Sequence, residues 1–204
     1  MEKSWKISGL LVAGILLGQS VAFGAEDPAK VFKVREQKVQ TILQDSKLDT
    51  EKKKTLLVGE ISSAFDYMEL ARRSLTRHWG KLTGAQKSEF TGTLRSLIER
   101  SILGRLKPRS DYSVEVDQAN VKGSEAVLPA TLASPDMASG DEVQVELKLH
   151  ESPKKGWVIY DLVIDEVSLL SNYKDQFNKI INEQNFDSLL NQMKKKLAEE
   201  QQTL

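Results

Sequence analysis

Three side chains have the chemistry to act as acid, base or metal ligand in otherwise apolar stretches: His78, His150 and Asp161. His78 stands beside Trp79 where a helix is expected to end, so its imidazole either caps terminal carbonyls or is solvated. His150 closes a run of alternating residues on the polar side. A metal site there would need two or three further ligands, and no histidine-rich spacing supplies them. Asp161 lies in Trp157-Val-Ile-Tyr-Asp-Leu-Val-Ile-Asp165, where strict alternation puts it on the face of Trp157, Ile159 and Val163. A carboxylate among apolar neighbours can serve as a general base, as in small cone-shaped α+β isomerases. The reading favoured by the sequence is a salt bridge to Arg72 or Arg73, because no second acid or base is marked.

The residue types that are missing exclude more. Without a cysteine there is no thiol nucleophile, thiolate zinc site, iron–sulfur cluster or disulfide framework. No phosphate-cradling loop, dinucleotide glycine fingerprint or Gly-x-Ser-x-Gly elbow occurs. The 204 residues carry 29 Lys+Arg against 29 Asp+Glu, so no basic surplus points to nucleic acid or to an anionic membrane. The lysine runs Lys52–Lys54 and Lys194–Lys196 are short, sit beside acids and read as solvated helix faces. A composition that is 40% apolar and 28% charged is that of a globular protein able to bury a core. No catalytic residue, metal ligand or cofactor is therefore expected.

Residues 1–24 read as a secretory signal peptide rather than as fold. Lys3 and Lys6 precede an apolar run from Leu10 to Leu17, and Ala22-Phe23-Gly24 is a small-x-small site with cleavage before Ala25, Ser20-Val21-Ala22 being a second option. The run is too short for a membrane span, which needs about 20 apolar residues. Cleavage removes two lysines and one glutamate, so the mature chain stays within one charge of neutral. With no cysteine to acylate, the expectation is a soluble, exported protein that is not lipid-anchored.

The mature chain begins with helices. Asp27-Pro28, Asp49-Thr50, Asp66-Tyr67-Met68-Glu69 and Thr83-Gly84-Ala85-Gln86 are successive helix starts. Val31, Phe32, Val39, Ile42 and Leu43 share one face of the first helix, and Leu57, Ile61, Ala64 and Phe65 mark the second. The third is expected to run to about Trp79, and the fourth carries Phe90, Leu94, Leu97, Ile98 and Leu103 towards a cap at Gly104.

After Pro108 the period drops from 3.6 to 2. Strands are expected at 112–116, at 125–132 with Pro129 marking an edge or bulge, at 142–149, and at 157–165 beyond a Ser152–Gly156 hairpin loop. Helices return from about Asn172 to Glu183 and again from Phe186. Helices, a strand meander and helices, without strand–helix alternation, describe a single α+β domain over residues 25–204. N- and C-terminal helices pack on a curved, mainly antiparallel sheet of four to five strands.

Two segments carry a family resemblance. Phe65-Asp-Tyr-Met-Glu-Leu-Ala-Arg-Arg-Ser-Leu75, followed by His78-Trp79, Gln86 and Phe90, resembles the helical signature of the MlaC family. Trp157-Val-Ile-Tyr-Asp-Leu-Val-Ile-Asp-Glu-Val-Ser-Leu-Leu-Ser-Asn-Tyr-Lys-Asp-Gln-Phe177 resembles its second signature, departing at Glu166 where the family usually has Gly. These proteins, also called toluene-tolerance auxiliary proteins, are the periplasmic phospholipid-binding components of a lipid-transport ABC system. The resemblance covers essentially the whole mature chain.

It implies a non-enzymatic carrier with phospholipid as bound cargo. Its partners would be an inner-membrane ABC transporter with an MCE-domain ring and an outer-membrane lipoprotein–porin complex, and the outcome lipid asymmetry of the outer membrane. Exposed acyl tails cost about 0.8 kcal/mol per CH₂, so crossing water requires an apolar container. Its expected lining is Val143, Val145, Leu147, Leu149, Val158, Tyr160, Leu162 and Ile164 from the sheet, with Phe65, Leu94, Ile98 and Phe177 from the helices. A packed core has the same residue pattern as a lipid pocket. Two other readings are an isomerase- or hydratase-like enzyme using Asp161 as base, and a periplasmic adaptor with a filled core.

Overall fold

The computed structural model describes residues 26–105, 113–133 and 142–201. Residues 1–24, expected to be the signal peptide, lie outside them, as does Tyr112 at the expected start of the first strand.

Each helix begins where a short polar side chain can take an otherwise unpaired N–H group. Asp27 accepts from Ala29 N–H at 3.0 Å at the head of α1 (Pro28–Gln44), whose first residue is a proline. Asp49 accepts from Lys52 N–H at 2.8 Å at the head of α2 (Thr50–Ala64). Asp66 accepts from Glu69 N–H at 3.0 Å at the head of α3 (Tyr67–Leu75). Ahead of α4 (Gly84–Arg105) the capping box is reciprocal: Gln86 N–H donates to Thr83 Oγ1 at 3.2 Å, and Thr83 N–H donates to Gln86 Oε1 at 2.9 Å.

Two helix ends differ from expectation. α3 stops at Leu75 because Thr76, at φ 50° and ψ −121°, leaves helical geometry; the chain continues as a 3₁₀ segment, Thr76–Lys81, through His78 and Trp79. α4 runs on through Gly104 to Arg105 instead of being capped there.

The strands are β1 (Ser113–Val116), β2 (Asn120–Lys122), β3 (Glu125–Ala133), β4 (Val143–Ser152), β5 (Gly156–Ile164) and β6 (Val167–Ser168). They form an antiparallel sheet in the order β1-β3-β4-β5-β6, with β2 beside β1 along β3. The short strands β2 and β6 have no alternation long enough to be read from sequence. Helices α5 (Leu169–Glu183) and α6 (Phe186–Gln201) follow, α5 starting at Leu169 rather than near Asn172. The fold class is the expected α+β arrangement of helices on a mainly antiparallel sheet.

Pro129 is not on an edge strand, since β3 pairs on both sides. Its carbonyl accepts from Asp117 N–H at 3.0 Å, on the side where β1 has ended and β2 has not begun. In an antiparallel pair the N–H and C=O of one residue point the same way. The proline's missing N–H therefore faces that gap, where no ladder bond is lost.

The most consequential irregularity is in β5. Leu149 of β4 stands opposite Ile159, yet Lys148 stands opposite Asp161, so Tyr160 is an extra residue with no partner across the ladder. Such a β-bulge reverses the inward and outward alternation beyond it. Trp157 and Ile159 share a face with Leu149, whereas Asp161 shares one with Lys148. The expected common face of Val158, Tyr160, Leu162 and Ile164 is thus split, and so is the common face of Asp161 with Trp157 and Ile159.

Candidate functional site

An apolar cleft of about 250 Å³ lies between the first two helices and one face of the sheet. Phe32, Arg35, Glu36 and Val39 approach it from α1 at helical spacing, and Glu60, Ile61 and Ala64 approach from α2. The floor is Val114 and Val116 of β1, Leu132 of β3 and Ile159 of β5.

Strand register extends this floor across the sheet. Val116, Ala130, Val145 and Ile164 stand opposite one another in a transverse row; Val114, Leu132 and Val143 form a second row, and Leu128, Leu147 and Leu162 a third. Side chains directly opposite in a ladder share a face. Exposure rises along the first row, from buried Ala130 and Val145 to Ile164, which is 39% exposed. An apolar surface therefore continues from the cleft across β4 to β5.

Of the residues expected to line a pocket, Val143, Val145, Leu147, Leu149, Leu162 and Ile164 share the sheet face of the cleft. Val158 and Tyr160 are turned away by the bulge. Val158 pairs with His150, and the Tyr160 ring lies 3.8 Å from the Arg73 guanidinium. Leu94, Ile98 and Phe177 are buried in the main core, where Phe90 packs edge-on to Phe177 with ring centres 5.5 Å apart. Phe65 is in that core too, stacked on Tyr67. None of the twelve is among the side chains bounding the cleft itself. Phe32, Val39, Ile61 and Ala64 are legible as helix faces, but what separates a cavity wall from a packed face is the gap between helix and sheet, which no periodicity encodes.

Among the described residues one cation bounds the cleft. Arg35 Nη1 donates to Ser63 Oγ at 2.9 Å, its guanidinium carbon is 5.9 Å from the Phe32 ring centre, and its buried Nε has no hydrogen-bond partner.

The candidate acid–base residues are placed structurally and away from the cleft. Asp161, 1% exposed, accepts from Ser168 Oγ–H and from Leu170 N–H, each at 2.8 Å, with the Lys148 ammonium at 3.4 Å. It pairs with neither Arg72 nor Arg73, contrary to expectation. Both of those bind Glu69, and Arg73 also reaches Glu125 at 2.6 Å. The two guanidiniums hold the Glu69 carboxyl down at about 2. His150 meets Asp66 at 3.0 Å beside Tyr160. The His78 ring has a buried Nε2 without a partner; burial lowers its pKa, helped by Arg77 and Lys81. Among the described residues, no group of three or more His, Asp or Glu side chains is placed to hold a metal ion. No described helix is long and apolar enough to cross a membrane.

No curated protein matches. Among solved structures, a phospholipid-binding protein from Ralstonia solanacearum, in complex with a phospholipid, superposes with a TM-score of 0.73 at 23% identity, covering 85% of this chain and 98% of that one. At this identity the likeness establishes the shared fold. The family model described as MlaC protein matches residues 34–195. By that match the chain belongs to the MlaC family.

Proposed function

We propose that this protein is a phospholipid carrier that holds acyl tail in the cleft between α1, α2 and the sheet. The carrying observation is the cleft itself, an apolar space of about 250 Å³ whose floor continues along transverse apolar rows to the sheet's exposed end. The phospholipid complex of the Ralstonia protein, which has the same fold, supports the reading. Burying tail carbons at about 0.8 kcal/mol per CH₂ supplies affinity without a demanding polar contact.

In this reading residues 25–204 act as one unit, exported to the periplasm after removal of residues 1–24. The carrier shuttles lipid between an inner-membrane ABC transporter with an MCE-domain ring and an outer-membrane lipoprotein–porin complex, which maintains outer-membrane lipid asymmetry. Val143, Leu162 and Ile164 are its outermost tail contacts. A near-neutral surface suits a protein that must leave anionic membranes as readily as it reaches them.

The test is organic extraction of the purified mature protein followed by mass spectrometry. Diacyl phospholipid in stoichiometric amount is the expected result. Protein that is lipid-free as purified and stays so after incubation with phospholipid vesicles overturns the carrier.

A further inference from the structure

Arg35 is an unusual residue to find bounding an apolar cleft. Its Nε–H is buried and has no acceptor, and no carboxylate among the described residues pairs with its guanidinium. A buried donor left unpaired costs its full desolvation penalty, so a structure that keeps one at a cleft is poised for an acceptor supplied from outside. The side chain is also held in place: Nη1 is tied to Ser63 Oγ at 2.9 Å, and the guanidinium lies over the Phe32 ring. A guanidinium held in place with its Nε–H unpaired suits a phosphate or phosphodiester oxyanion as the missing acceptor. Among the described residues Arg35 is the one cation bounding the cleft, and its company there is two carboxylates, Glu36 and Glu60. An anionic head would meet both carboxylates, whereas a zwitterionic head offers phosphate to Arg35 and ammonium to the acids.

Resting on the carrier reading, we propose that Arg35 anchors the phosphodiester of a bound lipid head group and that Glu36 and Glu60 make the cleft prefer an amine-bearing head. This assigns a head-group preference that composition alone does not suggest, since it arises from three side chains brought to one cleft.

The test titrates delipidated full-length mature protein by native mass spectrometry against four probes: dioctanoyl-phosphatidylethanolamine, dioctanoyl-phosphatidylglycerol, dioctanoylglycerol and inorganic phosphate. The ethanolamine lipid should bind about tenfold tighter than dioctanoylglycerol, and Arg35→Gln should remove that advantage while leaving dioctanoylglycerol unchanged. Glu36→Gln with Glu60→Gln should close the gap between the ethanolamine and glycerol lipids. Arg35→Lys, which keeps the charge but not the planar fork, should fall between wild type and Arg35→Gln; it serves as the readout if the glutamine variant does not fold.

Equal binding of the ethanolamine lipid and dioctanoylglycerol, unmoved at Arg35, overturns the anchor and leaves the carrier standing. Inorganic phosphate binding as tightly as the lipid, with loss on Arg35→Gln, also overturns it, by making Arg35 a free-anion site. Failure of all three tailed probes to bind counts against the carrier itself.

Discussion

Asp161 Oδ1 accepts the backbone N–H of Leu170 at 2.8 Å, which ties β5 to the first turn of α5. The second oxygen takes the Ser168 hydroxyl at 2.8 Å and faces the Lys148 ammonium at 3.4 Å. Ser168 in turn caps α5 by accepting from Ser171 N–H at 3.0 Å. One carboxylate thus answers an otherwise unpaired helix N–H, the capping hydroxyl and a neighbouring cation, in a place that is 1% exposed. Its chemistry is spent on the fold.

Removing that carboxylate strands several partners at once. Asp161→Ala should lower stability by about 1–3 kcal/mol, the usual cost of leaving a buried donor such as Leu170 N–H without its acceptor. Asp161→Asn should cost less, because an amide oxygen can still accept from Leu170 N–H. Urea denaturation of the three proteins measures both. A loss under about 1 kcal/mol for Asp161→Ala, within the range of ordinary surface changes, would show the cluster to be dispensable.

Glu69 sets an acid limit on the attachment of α3. It accepts from Arg72 Nε at 2.7 Å and from Arg73 Nε at 2.7 Å, while Arg73 goes on to Glu125 and the Tyr160 ring. Its carboxyl sits near 2 in the folded protein against an ordinary 4.5, so folding favours the ionised form. That contribution is complete above pH 4.5 and is lost as the pH falls from there towards 2. Glu69→Gln should be less stable than wild type at pH 7, and the gap should narrow at pH 3. Urea midpoints at the two pH values decide it; a gap that is constant with pH removes Glu69 from the acid limb.

The helix starts were legible because a cap is a local event. Asp27, Asp49, Asp66 and Thr83 each bond to an N–H two or three residues ahead, inside the window in which the pattern is read. The face of each β5 residue was not, because one unpaired residue at Tyr160 reverses the alternation, and only pairing with β4 reveals it. For the same reason Pro129 could be read only as an edge or bulge position: the irregular gap that accommodates it, residues 117–119 facing 128–129, lies between two other strands. The cleft was hidden by chemistry instead. Phe32 and Ile61 look alike whether they meet another side chain or a space.

The turn between β5 and β6 holds Asp165 at φ 48° and Glu166 at φ 65°, two consecutive non-glycine residues in the left-handed region. Tight hairpin turns of this form favour Gly at the second position. Glu166→Gly should relieve strain and stabilise the protein by about 0.5–1 kcal/mol, with a Tm rise of a few degrees. Glu166→Ala, which keeps a Cβ, should give no such gain. Thermal unfolding followed by circular dichroism separates the two; equal Tm values for Gly and Ala would mean that the turn stores no strain.

Val39 offers the cleanest way to close the cleft without touching the core. It is half-buried on α1 and bounds the cleft, whereas the core residues Leu94 and Leu128 are wholly buried. Val39→Trp places an indole where tail carbons are proposed to lie, and it can do so without displacing a packed neighbour. Lipid recovered per protein by organic extraction should then fall several-fold, while the urea midpoint stays within the ±0.5 kcal/mol expected of a peripheral change. Leu94→Ala serves as the opposite control. It should cost about 2–5 kcal/mol of stability, as buried Leu truncations do, without selectively removing lipid from the folded fraction. If Val39→Trp keeps its full lipid load, the tails lie elsewhere on the apolar rows, and the cleft loses its claim to be their container.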